Sequence, residues 1–308
     1  MNPAPNNEVV AGTGAAVRIE RILCPVDFSE ISAKAYRYAQ SIAQRYRAKL
    51  ILQHVVELAE HPSGYYCVRP SQFDQFRQVL LSNAENDLKQ FVERSGGGQF
   101  ECVMDEGIAA DAILSLARAR AASLIVMGTH GRRGFDHLML GSATERVLRH
   151  AACPVLAVTP KTPDTTGSSP AEDSIRVQHV LCCVDFSAPS VRALEHALSV
   201  AEVYGAELSV IHILDNIGES ANVAIETDDA EETLRRLIAP SALPPARVHL
   251  RVGLGKAYRE ILDFAAENHP DLIVTGVRGR NSLDLAVFGS TTYRVIQLYS
   301  GPVLTVSA

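Results

Sequence analysis

The feature that most restricts the fold is a glycine pattern that occurs twice at one spacing. Gly128-Thr129-His130-Gly131 is followed by nine residues and then Gly141-Ser142-Ala143-Thr144. Gly276-Val277-Arg278-Gly279 is followed by nine residues and then Gly289-Ser290-Thr291-Thr292. Each glycine of the first copy has its counterpart 148 residues further on. A short apolar run precedes each copy, Leu124-Ile125-Val126-Met127 and Leu272-Ile273-Val274-Thr275. A buried strand running into a glycine loop brings bare backbone N–H groups to the carboxyl end of a parallel sheet, where they form a concave anion site. The third glycine and its serine fall where a helix begins, and helix N-termini attract phosphate. The same glycines also suit plain strand-to-helix turns, but two matched copies favour the anion site.

The repeat extends beyond the glycines. Ile22-Leu23-Cys24-Pro25-Val26-Asp27-Phe28-Ser29 matches Val180-Leu181-Cys182-Cys183-Val184-Asp185-Phe186-Ser187 at an offset of 158. The stripe Ala35, Ala39, Ile42, Ala43, Tyr46 recurs as Ala193, Ala197, Val200, Ala201, Tyr204, and His54 recurs as His212. The offset then falls to 148, so the second copy lacks ten residues between its second strand and Gly255, the counterpart of Gly107. In the first copy the pattern predicts strands over residues 22–26, 50–56, 100–104, 124–127 and 155–158. Helices are predicted after Ser29 and over residues 73–94, 111–121 and 142–150. Alternating helices with continuous apolar strands mean a doubly wound parallel sheet, an α/β fold. The expected layout is a disordered arm at 1–17, one domain at 18–160, a Pro-, Thr- and Ser-rich linker at 161–175 and a second domain at 176–308.

Composition excludes several classes. The 308 residues are 47 % hydrophobic and 21 % charged, which suits two globular domains with cores of their own. Residues 1–170 carry 18 basic and 17 acidic groups, and the remainder 11 and 18, so the acidic excess lies in the second part. No basic run suggests a nucleic-acid groove, and no apolar stretch reaches the length of a membrane span. The six cysteines form no C-x-x-C pair, so neither a disulfide framework nor a redox motif is indicated. Cys24, Cys102, Cys182 and Cys183 read as small hydrophobes inside strands, with Cys182 and Cys183 on opposite faces. The arm has no signal-peptide character, and a cytoplasmic location is the expectation.

Ligands of open α/β sheets bind outside the carboxyl ends of the strands where strand order reverses. Asp27 and Asp185 end the first strand of each copy there. They suit hydrogen bonds from sugar hydroxyls, or a turn before a helix. Ser142 with Glu145 fits a capping box, whereas Ser290 has no such glutamate, so a phosphate contact accounts for both serines and capping for one. Arg132, Arg133 and Arg280 could lie over phosphates or in solvent. His54 and His212 read as satisfied core histidines rather than zinc ligands, and no spacing suggests a catalytic triad.

Val26-Asp27-Phe28-Ser29, His54-Val55, the strand into Gly128, Gly-x2-Gly-x9-Gly-Ser and Cys153-Pro154-Val155-Leu156 together resemble the universal stress protein family in its tandem form. The resemblance covers residues 18–160 and 176–308. It implies two Rossmann-like domains of the adenine nucleotide alpha hydrolase type, each a five-stranded parallel sheet flanked by helices. It also implies ATP as ligand, with Mg2+ or Mn2+. In that family Asp27, Asp185, Gly128 and Gly276 would meet the ribose, and the main chain of Val55 and Ile213 the adenine. Gly131, Gly141, Ser142, Gly279, Gly289 and Ser290 would meet the phosphates. Arg278 in place of His130, and Thr275 in place of Met127, set the second pocket apart. The resemblance further implies a sensor or regulator with an unidentified protein partner and at most slow hydrolysis. The family's closing strands pair across a dimer; a tandem chain could satisfy that pairing internally, 155–158 against 303–306, with a homodimer of the whole chain still open.

Overall fold

The computed structural model describes residues 17–57, 70–130, 140–164, 175–214, 223–277 and 289–307. The first half runs β1 (Arg21–Pro25), α1 (Glu30–Tyr46), β2 (Lys49–Val56), α2 (Pro70–Arg94), β3 (Glu101–Glu106), α3 (Ala109–Ala119), β4 (Leu124–Gly128), α4 (Ser142–His150) and β5 (Val155–Val158). The second half repeats it as β6 (His179–Cys183), α5 (Ala188–Tyr204), β7 (Glu207–Leu214), α6 (Val223–Ile238), β8 (Val248–Leu254), α7 (Ala257–Asn268), β9 (Leu272–Gly276), α8 (Ser290–Leu298) and β10 (Val303–Val306), with one 3-10 turn at Pro245–Arg247. The strands form one sheet in the order β3-β2-β1-β4-β5-β10-β9-β6-β7-β8. Each half is parallel throughout. The halves join through an antiparallel pairing of β5 with β10, Leu156 opposite Leu304.

Successive strand residues point to opposite faces, and each face builds its own core. Ile22, Cys24, Leu156, Val158, Val180 and Cys182 face α1, α2, α5 and α6. Leu23, Val155, Ala157, Leu181 and Cys183 face α3, α4, α7 and α8. Cys182 and Cys183 do part to opposite faces, both buried, and burial together with the charge of Asp185 pushes the Cys183 thiol up to about 12. Both cores run without a break from one half into the other.

Several predicted details change. Cys102 is exposed rather than a core hydrophobe, because β3 is an outer strand of the sheet and β2 alone pairs with it. Helix α2 starts at Pro70, ahead of the predicted residue 73, since proline suits a first helical turn. Most of the ten-residue deficit of the second half lies in its middle helix, 16 residues in α6 against 25 in α2. The start of the predicted linker is packed rather than loose. Lys34 Nζ donates to the carbonyls of Pro160 and Thr162, Arg37 pairs with Asp164 at 2.8 Å, and Thr162 is 1 % exposed. Residues 1–16 of the predicted arm and the middle of the linker, 165–174, lie outside the described residues. Among the described residues, no helix is long and apolar enough to cross a membrane.

Candidate functional site

Strand order reverses between β1 and β4, and again between β6 and β9, so a crevice opens beyond each pair of carboxyl ends. At β1 the chain leaves the sheet through a tight turn. Asp27 Oδ1 accepts from the Ser29 N–H at 3.1 Å and the Ser29 hydroxyl at 2.6 Å. Ser29 then caps α1 by accepting from the Ser32 N–H. The second half repeats the turn, with Asp185 accepting from the Ser187 N–H at 3.0 Å and from its hydroxyl. The turn role considered for both aspartates is therefore real. It uses Oδ1 of each carboxylate. Asp27 is half-buried and Asp185 exposed.

Between the aspartate and the serine, Phe28 and Phe186 hold positive φ, +68° and +62°. An aromatic residue in that region is strained, and it persists only where the surroundings hold it. The hold is visible. Phe28 stacks on His54 with ring centroids 4.1 Å apart, and Phe186 lies 4.3 Å from His212. His54 Nδ1 is 2.7 Å from the Val26 carbonyl, and His212 Nδ1 is 2.7 Å from the Val184 carbonyl. A carbonyl can only accept, so Nδ1 carries the proton in both rings. The expectation of satisfied histidines holds, and their use is now clear: each locks the strand end and braces the phenylalanine. The sequence signal was present in the duplicated Asp-Phe-Ser and His, but the phenylalanines were not singled out.

These histidines also shape the edge of β2 and β7. The last ladder bonds between the paired strands are Val26 N–H to Gln53 C=O and Val184 N–H to Ile211 C=O. The carbonyls of Val26 and Val184, which would continue the ladders, face the imidazoles instead. The main chains of Val55 and Ile213 thus run past the last ladder bond at the crevice.

On the other wall, Gly128 and Gly276 end β4 and β9. A methyl group on Gly128 would meet Ile31 Cγ2 at 2.8 Å, and one on Gly276 would meet Ser190 N at 2.6 Å. These glycines let the first turn of α1 or α5 lie directly on the strand end, a packing role beside any ligand role. Gly141 and Gly289, not the serines, are the N-caps of α4 and α8. Ser142 and Ser290 are the first helical residues, exposed, and neither helix has a side-chain cap bond. The capping-box alternative for Ser142 does not form: Glu145 lies along α4 and pairs with Arg149. The helix starts are instead tied down by a residue the sequence reading passed over. Thr144 donates to the Gly128 carbonyl at 2.9 Å and Thr292 to the Gly276 carbonyl at 3.2 Å. Gly-Ser-x-Thr, present in both copies, was the available signal. Each crevice is therefore flanked by an aspartate turn, a strand edge and a helix N-terminus whose first N–H groups have no intrahelical partners. Gly131 and Gly279, with Arg132, Arg133, Arg278 and Arg280, lie outside the described residues.

The model of the universal stress protein family matches residues 18–159 and again 176–307. The chain belongs to the universal stress protein family, in a tandem arrangement. A universal stress protein of Mycolicibacterium smegmatis is 26 % identical over 302 residues, covering 92 % of this chain and 96 % of its own length. One from Methanocaldococcus jannaschii is 31 % identical over 143 residues, covering 45 % of this chain and 81 % of its own length. Among solved structures, a universal stress protein from Archaeoglobus fulgidus superposes with a TM-score of 0.68 at 24 % identity, covering 93 % of this chain and 98 % of its own. The last likeness is one of fold.

Proposed function

We propose that the chain is a cytoplasmic ATP-binding sensor or regulator of a stress response, with one nucleotide site in each half. It hydrolyses ATP slowly at most, and a protein partner reads the nucleotide state. The observation that carries this reading is the matched pair of helix starts. Ser142 and Ser290 sit exposed at the first helical position, uncapped, beside a strand end held by Thr144 or Thr292. A helix N-terminus of this kind favours phosphate through its N–H groups and its dipole.

In this reading Gly141 and Ser142, with Gly289 and Ser290, contact phosphate oxygens, joined by Gly131 and Gly279. The carboxylate of Asp27 or Asp185 accepts from the ribose hydroxyls, next to Gly128 or Gly276. The leftover main chain of Val55 or Ile213 meets the adenine edge. Mg2+ or Mn2+ enters with the nucleotide. No group of three or more metal-binding side chains exists among the described residues, and Mg2+ held by phosphates and water needs only one or two protein ligands. The first site is the tighter. Asp27 is the more enclosed aspartate, Arg94 donates to the Phe28 carbonyl at 2.9 Å, and the acidic excess lies in the second part.

Calorimetric titration of nucleotide-stripped full chain with Mg-ATP tests the proposal. Two sites are expected. Gly131→Val should remove the first and Gly279→Val the second. Asp27→Ala should weaken the first by about 1.5–3 kcal/mol, the worth of a hydrogen bond to a charged group. No binding in folded wild type would refute the nucleotide reading and leave a nucleotide-independent interaction module.

A further inference from the structure

Helices α1 and α5 straddle the β5–β10 junction, and a cavity of about 60 Å³ lies between them, floored by Leu156 and Leu304. By the roughly 10–15 Å³ that one water requires, it has room for about four to six water-sized groups. Its walls are mostly apolar, yet polar groups converge on it. Tyr46 is a lining residue whose hydroxyl is buried with no hydrogen-bond partner. His196, from the facing helix, has no hydrogen-bond partner among the described residues. Tyr204 stands beside Tyr46 with ring centroids 6.4 Å apart. An apolar cavity with a few convergent polar groups is the usual form of a small-molecule site, and an orphaned buried hydroxyl is costly unless something meets it.

We propose that this cavity between the two halves binds a small neutral molecule with an apolar body and one hydroxyl or carbonyl end, the polar end meeting Tyr46 and His196. The charge balance favours a neutral ligand. Asp271 lines the cavity, its carboxylate accepting from the N–H groups of Gln178 and His179, and it repels anions. Burial, assisted by Arg192, pushes His196 down to about 4, so its ring is uncharged at neutral pH. The occupant would touch α1 and α5 together and so bridge the halves. This site is remote from both strand-end crevices and does not depend on the nucleotide reading.

1-Butanol, with five heavy atoms, is the probe, and n-pentane, in which a methyl group stands for the hydroxyl, is its control. Calorimetric titration of the nucleotide-free full chain should show one 1-butanol per chain, bound at least fivefold more tightly than n-pentane. Tyr46→Phe should raise the melting temperature of the empty protein, because it removes the orphaned hydroxyl. The same variant should reduce 1-butanol affinity about tenfold and leave n-pentane affinity unchanged. Val200→Phe, which fills the cavity from α5, should abolish both. Absence of saturable 1-butanol binding to wild type, or equal 1-butanol affinity in wild type and Tyr46→Phe, would overturn the proposal whether or not Val200→Phe folds.

Discussion

At Gly128 the group that an added methyl would strike is the end of the Ile31 side chain; at Gly276 it is backbone, Ser190 N at 2.6 Å and the Pro189 carbonyl carbon at 2.7 Å. Ile31 and Pro189 occupy the same place in the repeat. The Ile31 methyl can give way by a small shift of one side chain, whereas at Gly276 the obstacle is backbone, in a first helical turn whose φ is fixed by proline. The two halves thus reach one geometry with unequal tolerance. They differ again around the aspartate turn. Arg94 reaches back to the Phe28 carbonyl from the long helix α2, and Asp27 is half-buried. In the second half the middle helix is shorter and Asp185 is exposed. Duplication kept the groups that define the crevice and let the surrounding support diverge.

The largest expected effect tests the unequal tolerance. Gly276→Ala should destabilise the chain by about 3 kcal/mol or more, and Gly128→Ala by about 1 kcal/mol, by urea unfolding. Equal losses would mean that the two strand ends are equally rigid.

The next effect concerns the pair across the halves' junction, where Tyr38 of α1 and His196 of α5 are equivalent. Burial holds the folded His196 near pH 4, against 6.5 for an ordinary histidine. As pH falls from about 6.5 to 4, the unfolded chain takes up a proton that the folded chain refuses. Stability therefore falls across that window, by about 3 kcal/mol at most, and the loss levels off below it. His196→Phe should flatten this part of the stability profile. Tyr38, pushed up to about 12, carries no charge there and adds no acid dependence.

Smaller effects compare the threonine ties and the arginine. Thr144→Val should cost about 1 kcal/mol and Thr292→Val less, in line with bonds of 2.9 and 3.2 Å. Hydrogen exchange of the first turns of α4 and α8 would show which helix start loosens. Arg94→Ala should lower overall stability by about 0.5 kcal/mol, because the contact is exposed, but should raise exchange around Phe28 and leave Phe186 unchanged.

Much of the fold was legible because its causes are local and repeated. The apolar runs of β1, β2, β4 and β5, the stripe of α1, and the limits of α4 and β5 follow from side-chain period and caps, and duplication let each half corroborate the other. Details misread from sequence had causes elsewhere in the fold. Cys102 looked like a core residue because its run is apolar, and only its place on an outer strand exposes it. The spacing of Ser142 and Glu145 also left a capping box open beside the phosphate contact, and only the packed helix start, with Thr144 on the Gly128 carbonyl and Gly141 as the cap, closes that alternative.

The sequence by itself determined the repeated α/β plan, the strand-end aspartates, the glycine and serine positions and the family, since these depend on residue type, period and spacing. Tertiary structure decided what no spacing encodes. It set the His54 and His212 contacts that brace a strained phenylalanine, the closeness that makes Gly128 and Gly276 necessary, and the pairing of β5 with β10 over which the cavity forms. The physical reason is reach. Caps and periodic faces act over a few residues of chain, whereas these contacts join segments more than twenty residues apart and exist only once the sheet has assembled.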